Sequence, residues 1–162
     1  MLKLPLLELF FRLIPEGFIF IFAGYAFTKT LVTKKKYIIS SVLLGTIGYL
    51  IRFLPIDYGV HTILSLFACI IIVITLVKID VVRAISAAII TFILAFISEG
   101  INVLIIQFIF KADTTAIFQN PELKIIYGIP SLIIMVVVIS IFYYIMLKRN
   151  ELKYVSNEKH SR

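Results

Sequence analysis

Charged residues are scarce in this chain, and cysteine is scarcer still. Only 15% of the 162 residues are charged, 61% are hydrophobic, and the mean hydropathy is +1.08. A soluble domain has about a quarter of its residues charged and about half apolar. This excess of apolar residues cannot all be hidden in a core of this size, so the composition predicts a membrane protein. The single cysteine, Cys69, excludes a disulfide within one chain.

The chain also lacks the short motifs that carry common enzyme chemistry. It has no glycine-rich phosphate loop, no HExxH, no CxxC pair and no G-x-S-x-G sequence. It has two histidines, His61 and His160, which leaves only a weak case for a metal site. We therefore expect neither an enzyme nor a metal or cofactor site. The net charge of +7 is expected in loops beside a membrane rather than at a nucleic-acid surface.

What the chain does have is five long apolar stretches. A helix that crosses a bilayer needs about 20 mostly apolar residues, so these stretches predict an all-α, polytopic integral membrane bundle of about five transmembrane helices. Pro15 predicts a kink or a new helix start in the first stretch, which leaves open whether residues 2–14 span or lie in the interface. The predicted spans cover residues 6–27, 37–53, 61–77, 81–110 and 125–147 of one domain, 1–147, before a basic tail, 148–162.

The distribution of Lys and Arg predicts the orientation of these spans. Most of the basic residues fall in the segments around residues 28–36, 78–83 and 148–162, which five spans place on the same side. The positive-inside rule assigns that side to the cytoplasm, with the N-terminus outside. The cluster formed by Lys34, Lys35 and Lys36 lies beside a span and predicts contact with anionic lipid.

The fourth span carries a stripe of small residues that ends in polar groups. At about 100° per residue, the stripe occupies one face of the helix. Such a face predicts a buried helix–helix contact within the bundle. Its Ala84, Ala88 and Ala95 also offer a contact for another membrane protein or a second copy. The stripe consists of Ala84, Ala88, Thr91, Ala95, Glu99 and Asn102.

The predicted topology brings several polar residues to the outer side of the bilayer midplane. An ionisable group inside a membrane is costly and tends to pair or to line water, so we predict an outward-facing pocket capped by the loop 111–124. For Glu99 the expected partner is Arg52 first and Arg12 second. The predicted ligand-binding residues are Arg12, Glu16, Arg52, His61, Glu99 and Asn102.

Each of these residues also has a simpler interpretation. Glu99 and Arg52 would form a purely structural ion pair between spans. Arg12 would pair on its own helix with Glu8 or Glu16, which lie four residues away on either side. His61 would be an ordinary interfacial residue rather than a pH sensor.

Three segments support a resemblance to a known class of sensors. RLIPEGFIFIFAGYAF, YLIRFLPIDYGVHTI and FISEGINVLII resemble the membrane regions of Gram-positive peptide-pheromone receptor kinases and of their kinase-lacking relatives. The resemblance implies a multi-pass protein of the bacterial cytoplasmic membrane that senses a signal. Such receptors usually have more spans and continue into a helical dimerisation and ATP-binding module. Here only residues 148–162 follow the last predicted span, so phosphotransfer by this chain is not expected.

Three functions are compatible with these patterns. The first is a sensor or regulatory module whose pocket binds an extracellular ligand or a partner membrane protein, with output through the fifth span and the tail. The second is a small transporter or a substrate-binding transport subunit, in which the same polar residues would bind a solute or a proton. The third is a structural subunit of a larger membrane complex.

Overall fold

The computed structural model describes residues 9–55, 58–109 and 121–153. Within these ranges the chain is helical apart from short connections, and β-type pairing is limited to one isolated bridge between Thr30 and Lys153. The five α-helices of these ranges are α1, Ile14–Phe27; α2, Lys34–Arg52; α3, Tyr58–Ile72; α4, Val81–Phe108; and α5, Pro121–Lys148. A π-helical turn, Leu9–Leu13, precedes α1, and a second, Val73–Val77, extends α3.

Each predicted span corresponds, in the same order, to one helix of the described part of the chain, and the helix ends differ from the predicted ends. Helix α2 begins at Lys34, so the three lysines assigned to a basic loop form its first turn. Lysine is a good helix former, and the extended backbone of Thr33 provides the start. Helix α5 begins at Pro121 rather than near residue 125. Proline is favoured at a helix start, where its missing N–H costs no hydrogen bond.

Pro15 lies in the first turn of α1, directly after the π-helical turn. The sequence predicted a kink or a new helix start at this proline, and the change from π-helix to α-helix at Ile14 agrees with that prediction. Residues 2–8 lie outside the described part of the chain. The two predicted placements of residues 2–14, spanning the membrane or lying in the interface, therefore both stay predictions.

Helix α1 is the central helix of the bundle. It packs against α2, α4 and α5, and Gly24 brings it close to Val73 beyond the end of α3. Its Ile21, Ala23 and Ala26 are completely buried. Helix α4, which carries the predicted stripe of small residues, leaves one face of large apolar side chains exposed. The core therefore forms around α1, with α4 as one of its walls.

The tightest contact in the bundle joins α1 to α2 through glycine. A Cβ atom added to Gly17 would lie 2.5 Å from the carbonyl oxygen of Ser41 and 2.9 Å from the nitrogen of Gly45. A Cβ on Gly45 would in turn lie 2.9 Å from the Leu13 carbonyl oxygen. Gly17 and Gly45 therefore form a close helix–helix contact. Glycine has no Cβ atom, and only glycine lets the two backbones approach so closely.

Four helices in the described part of the chain are long and apolar enough to cross a membrane, judged by length and composition. Helix α2 is outside this set because Lys34, Lys35 and Lys36 lie in its first turn and Arg52 in its last. Large apolar side chains cover the outside of the bundle, as lipid contact requires. The four helical segments are Leu9–Phe27, Gly59–Val77, Val81–Phe108 and Ile125–Lys148.

One end of the bundle is closed by the connection between α1 and α2 and by the start of the tail. Leu31 N donates to Lys153 O and Lys153 N donates to Lys29 O, both at 2.9 Å. The Lys29 ammonium pairs with the Glu151 carboxylate at 2.5 Å. We call this set of contacts the clamp. The start of the predicted tail, residues 149–153, therefore packs against the connection through both backbone and side-chain groups.

Candidate functional site

Four charged side chains lie at the opposite end of the bundle, on four different helical segments. Arg12 belongs to the π-helical turn, Glu16 to the first turn of α1, Arg52 to the last turn of α2 and Glu99 to the second half of α4. We call these four residues the charge cluster. The antiparallel course of consecutive helices brings them together, as the predicted topology required.

Glu99 pairs with Arg12. The Arg12 Nη2 atom lies 3.4 Å from the Glu99 Oε1 atom. The two side chains differ in exposure, at 15% for Arg12 and 55% for Glu99. Arg12 also lies against α5, because a Cβ on Gly128 would lie 3.3 Å from its Nη1 atom. The guanidinium is therefore the more enclosed member of the pair, and the carboxylate is the more exposed one.

Arg52 pairs with Glu16 rather than with Glu99. The Arg52 Nη2 atom lies 3.7 Å from the Glu16 Oε2 atom, and both side chains are about one-third exposed. The sequence ranked Arg52 as the first partner of Glu99 and Arg12 as the second, so that order was wrong. The reason is geometric, because α1 lies between the other helices. Arg12, directly before α1, therefore reaches α4, whereas Glu16 in the first turn of α1 reaches α2.

Both ion pairs are longer than a strong charge-assisted hydrogen bond, which measures about 2.7–2.9 Å. Glu99, Arg12, Glu16 and Arg52 nevertheless form a chain of alternating charge across α4, α1 and α2. Because the two arginines balance the two glutamates, the set is neutral as a whole. Its members can exchange partners without leaving a net charge behind.

Asn102 connects α4 to α5 beside the charge cluster. Its Nδ2 atom donates a 2.6 Å hydrogen bond to the Tyr127 carbonyl oxygen. The Ser131 hydroxyl donates a 2.7 Å hydrogen bond to the Gly128 carbonyl oxygen. Pro130 has no N–H and disturbs the helical hydrogen bonds of this turn. The side chains of Asn102 and Ser131 thus supply hydrogen-bond donors in the turn where Pro130 lacks a backbone N–H.

A small cavity lies between α1, α4 and α5, directly against the charge cluster. It is partly open and has room for roughly one water molecule. Its polar lining consists of Arg12, Glu16, Ser98, Glu99 and Ser131. In this conformation the cavity is too small for an organic ligand. Binding of anything larger requires the charge cluster to open.

Two predicted site residues lie near the cavity without lining it in the described part of the chain. Arg52 reaches the cavity only through Glu16, and Asn102 contacts α5 one helical turn beyond Ser98. His61 lies near the start of α3 at the same end of the bundle and is partly buried. The predicted cap, residues 111–124, lies largely outside the described residues.

Sequence reasoning missed Ser98 and Ser131, which both line the cavity. Ser98 is 1% exposed and Ser131 is 5% exposed. The signal for Ser98 was present, because it lies four residues before Asn102 and so shares the face of the predicted stripe. The signal for Ser131 was weaker: it follows Pro130, a position where a hydroxyl commonly bonds a disturbed helix backbone.

The small-residue stripe of α4 packs inside this chain. Ala84, Ala88 and Thr91 are almost fully buried, with exposures of 0%, 3% and 1%. Ala84 and Ala88 belong to the same core as the buried residues of α1. The stripe therefore positions Ser98 and Glu99 against α1 and α5. A partner chain would have to displace this internal packing to reach Ala84, Ala88 and Ala95.

In residues 9–55, 58–109 and 121–153, the His, Cys, Asp and Glu side chains form no group of three that could hold a metal ion. Comparison with protein-family models, with curated proteins and with solved structures finds no match to this chain. The resemblance to the membrane regions of peptide-pheromone receptor kinases therefore stays a prediction.

Proposed function

We propose that this protein crosses a bacterial cytoplasmic membrane five times and acts as a sensor or regulatory module. Helix α2 adds a further span to the four helices that are long and apolar enough to cross a membrane. It packs against α1 through the close contact of Gly17 with Gly45. Its apolar part, residues 37–51, is about 22 Å long at 1.5 Å per residue. The Lys and Arg side chains at its two ends are long enough to reach the headgroups and compensate for the difference from a hydrocarbon core of about 30 Å.

In this proposal the clamp lies in the cytoplasm and the charge cluster on the outer side. Support comes from the clamp itself, which joins two segments that the Lys/Arg distribution assigned to the same side. Lys34 and Lys35 are exposed at this end of α2. They would lie at the level of the headgroups, where anionic lipid is the complementary partner.

The topology is tested by labelling single cysteines in intact cells. Cys69 is buried, and a Cys69→Ala background removes its thiol. Phe53→Cys, at an exposed site after α2, should react with a membrane-impermeant maleimide. Lys35→Cys should react only after permeabilisation. The opposite pattern would reverse the orientation, and equal labelling from outside would remove α2 from the set of spans.

One observation carries the sensor proposal: a single helical segment contributes residues to the contacts at both ends of the bundle. The segment from Arg12 through α1 to Lys29 is about 26 Å long at 1.5 Å per residue. At one end it contributes Arg12 and Glu16 to the charge cluster, and at the other it leads into Lys29 of the clamp. A shift of α1 at the outer end is therefore transmitted to the tail.

The signal in this mechanism is an exchange of ionic partners. Glu99 is the most exposed of the four charged side chains and is held by one long contact. A ligand or partner that binds Glu99 competes with Arg12. Its binding favours a conformation in which the first turn of α1 packs differently against α4 and α5. The ligand shifts the equilibrium only by its difference in affinity for the two conformations.

Coupling between the ends is tested with a pair of nitroxide labels at Thr33→Cys and Lys148→Cys in the Cys69→Ala background. Both sites are exposed beside the clamp. Replacing Glu99 by Gln, at the far end, should broaden or shift the distance distribution between the labels. Asp80→Asn is the matched control, because this exposed carboxylate makes no side-chain cap on α4. An unchanged distribution in the Glu99→Gln protein contradicts the sensor mechanism.

A further inference from the structure

The cavity between α1, α4 and α5 contains a buried hydroxyl whose hydrogen-bonding capacity is not used by the protein. Ser98 is 1% exposed and lines the cavity, and its Oγ atom makes no hydrogen bond to any residue in the described part of the chain. Nearly all buried polar groups in proteins have a hydrogen-bond partner, either protein or ordered water. The hydroxyl of Ser98 therefore calls for a partner inside the cavity.

A second unused group lies one helical turn away on the same face of α4. Asn102 is 6% exposed; its Nδ2 atom is bonded to Tyr127, while its Oδ1 atom has no partner among the residues that the structure describes. Residues four apart on a helix have their Cβ atoms about 5–6 Å apart. Because Asn102 does not line the cavity, its Oδ1 atom calls for a partner of its own beside the cavity.

The cavity satisfies the conditions for a bound water. It is polar, it has room for roughly one water molecule, and it offers more than the two polar partners that such a water requires. Arg12 and the Glu16 and Glu99 carboxylates supply charged donors and acceptors in the same lining. An apolar occupant would leave the buried Ser98 hydroxyl without a hydrogen bond.

We infer that this cavity is a hydrated site, in which water bonded to the Ser98 hydroxyl links α4 to the charge cluster of α1. The inference does not depend on the sensor mechanism, because it concerns only what fills the cavity. It also accounts for the lengths of the two ion pairs. A water beside Arg12 and Glu16 supplies hydrogen bonds that the 3.4 Å and 3.7 Å contacts make poorly.

The native chain contains its own reporter for this water. Met135 lines the cavity and is 2% exposed. Hydroxyl radicals produced from water by an X-ray pulse oxidise methionine close to the site where they form, and the product is the sulfoxide. In the intact protein, Met135 should be oxidised at a rate comparable to that of Met146, a methionine of the last turn of α5 that is 8% exposed. A Met135 that stays unmodified at doses that oxidise Met146 overturns the inference.

Substitution of Ser98 supplies an independent test, because the sign of the effect differs between a wet and a dry cavity. In a wet cavity, Ser98→Ala removes a partner of the water and should lower the Tm. In a dry cavity it removes an unsatisfied buried group, and the Tm should rise or stay unchanged. Ser131→Ala is the matched control. Its hydroxyl bonds the Gly128 carbonyl oxygen, so its removal should lower the Tm in either case.

Ser98→Val connects the two measurements. Its methyl groups fill the space beside Met135 and replace the hydroxyl, so the oxidation of Met135 should fall severalfold while that of Met146 stays the same. Oxidation of Met135 that persists in this variant would show that the radicals reach it from bulk water rather than from the cavity, and would overturn the inference. Changes in the distance between labels beside the clamp, which report the sensor mechanism, play no part in this result.

Discussion

The two ends of this bundle are held together by different kinds of interaction. At the clamp, backbone groups of residues 29–31 and 153 bond at 2.9 Å, and Lys29 pairs with Glu151 at 2.5 Å. At the charge cluster, the contacts between α1, α4 and α2 are side-chain ion pairs of 3.4 Å and 3.7 Å beside a cavity. Backbone pairing fixes one register, whereas long side-chain pairs permit exchange of partners. In the proposed mechanism, a change of conformation therefore begins at the charge cluster and is transmitted to the clamp.

The largest effect is expected where the charge cluster meets the close contact of α1 with α2. In Gly17→Ala the new Cβ atom would lie 2.5 Å from the backbone oxygen of Ser41, so the two helices must move apart. Overpacking of this kind costs about 1–3 kcal/mol, and the displacement carries Glu16 away from Arg52. We expect a lower Tm and faster impermeant labelling of Phe53→Cys at the outer end.

Gly100→Ala is the control for this substitution. Gly100 is a helical glycine of α4, and a Cβ added to it meets nothing within 4 Å. Alanine is favoured over glycine within a helix by about 0.5–1 kcal/mol, so this variant should be as stable as the wild type or more stable. A Gly17→Ala protein that behaves like Gly100→Ala would show that the two helices are not in close contact.

The second effect in size separates the two members of the Arg12–Glu99 pair. Arg12→Gln removes a 15% exposed guanidinium that packs on Gly128, whereas Glu99→Gln neutralises a 55% exposed carboxylate. We expect Arg12→Gln to lower the free energy of unfolding by about 1–3 kcal/mol, because it removes a largely buried charged donor whose hydrogen bond and packing the shorter amide does not replace. Glu99→Gln should cost under about 1 kcal/mol, as for other exposed pairs.

The double variant measures the interaction itself. If the two groups act mainly through each other, the effects of Arg12→Gln and Glu99→Gln should fall short of additivity. Lys29→Gln at the clamp, where the side chains are 50% and 28% exposed, is the comparison. Equal losses of unfolding free energy in Arg12→Gln and Lys29→Gln would contradict the conclusion that Arg12 is the more enclosed member of its ion pair.

Much of this arrangement was accessible from the sequence. Hydropathy and the Lys/Arg distribution predicted five helices and grouped Arg12, Glu16, Arg52 and Glu99 at one end. The pairing within that group was not accessible, because it depends on which helix occupies the centre. In a membrane the lipid is as apolar as a protein core, so the apolar side chains of α1 and α4 do not show which helix is enclosed. The glycines did carry that information: Gly17 and Gly45 mark the close contact of α1 with α2.

The clamp was missed for a different reason. The segment after residue 148 is polar and short, which is typical of a mobile tail. Its pairing uses the backbone of Lys153, and backbone pairing leaves no signature in side-chain types. The left-handed backbone conformations of Lys29 and Asn150 turn the two segments toward each other. Asparagine tolerates this conformation better than most residues, and Asn150 was the one local hint.

The clamp is tested by removing one backbone donor. Lys153→Pro deletes the N–H that donates to the Lys29 carbonyl oxygen, whereas Lys153→Ala keeps it. A single hydrogen bond contributes about 0.5–1.5 kcal/mol, so the proline variant should free the tail without unfolding the bundle. A nitroxide at Lys148→Cys should become more mobile in Lys153→Pro and stay unchanged in Lys153→Ala. Equal mobility in both variants would mean that the side chain, not the backbone, holds the tail.

The smallest effect is a dependence of the clamp on pH. The hydrogen bond from Lys29 lowers the pKa of Glu151 below its ordinary value of 4.5, and the positive charge of Arg149 acts in the same direction. A carboxylate with a lowered folded-state pKa contributes stability that is fully present above pH 4.5 and is lost as the pH falls through the folded-state pKa. The spin label beside the clamp should therefore become mobile only under acid conditions below that value.

In Glu151→Gln the label should be more mobile at neutral pH, and this step in mobility should be absent. Because the two backbone hydrogen bonds do not titrate, the acid-induced mobility should stay below that of Lys153→Pro. Greater mobility in acid would place the main strength of the clamp in the ion pair and would remove the contrast between the two ends of the bundle.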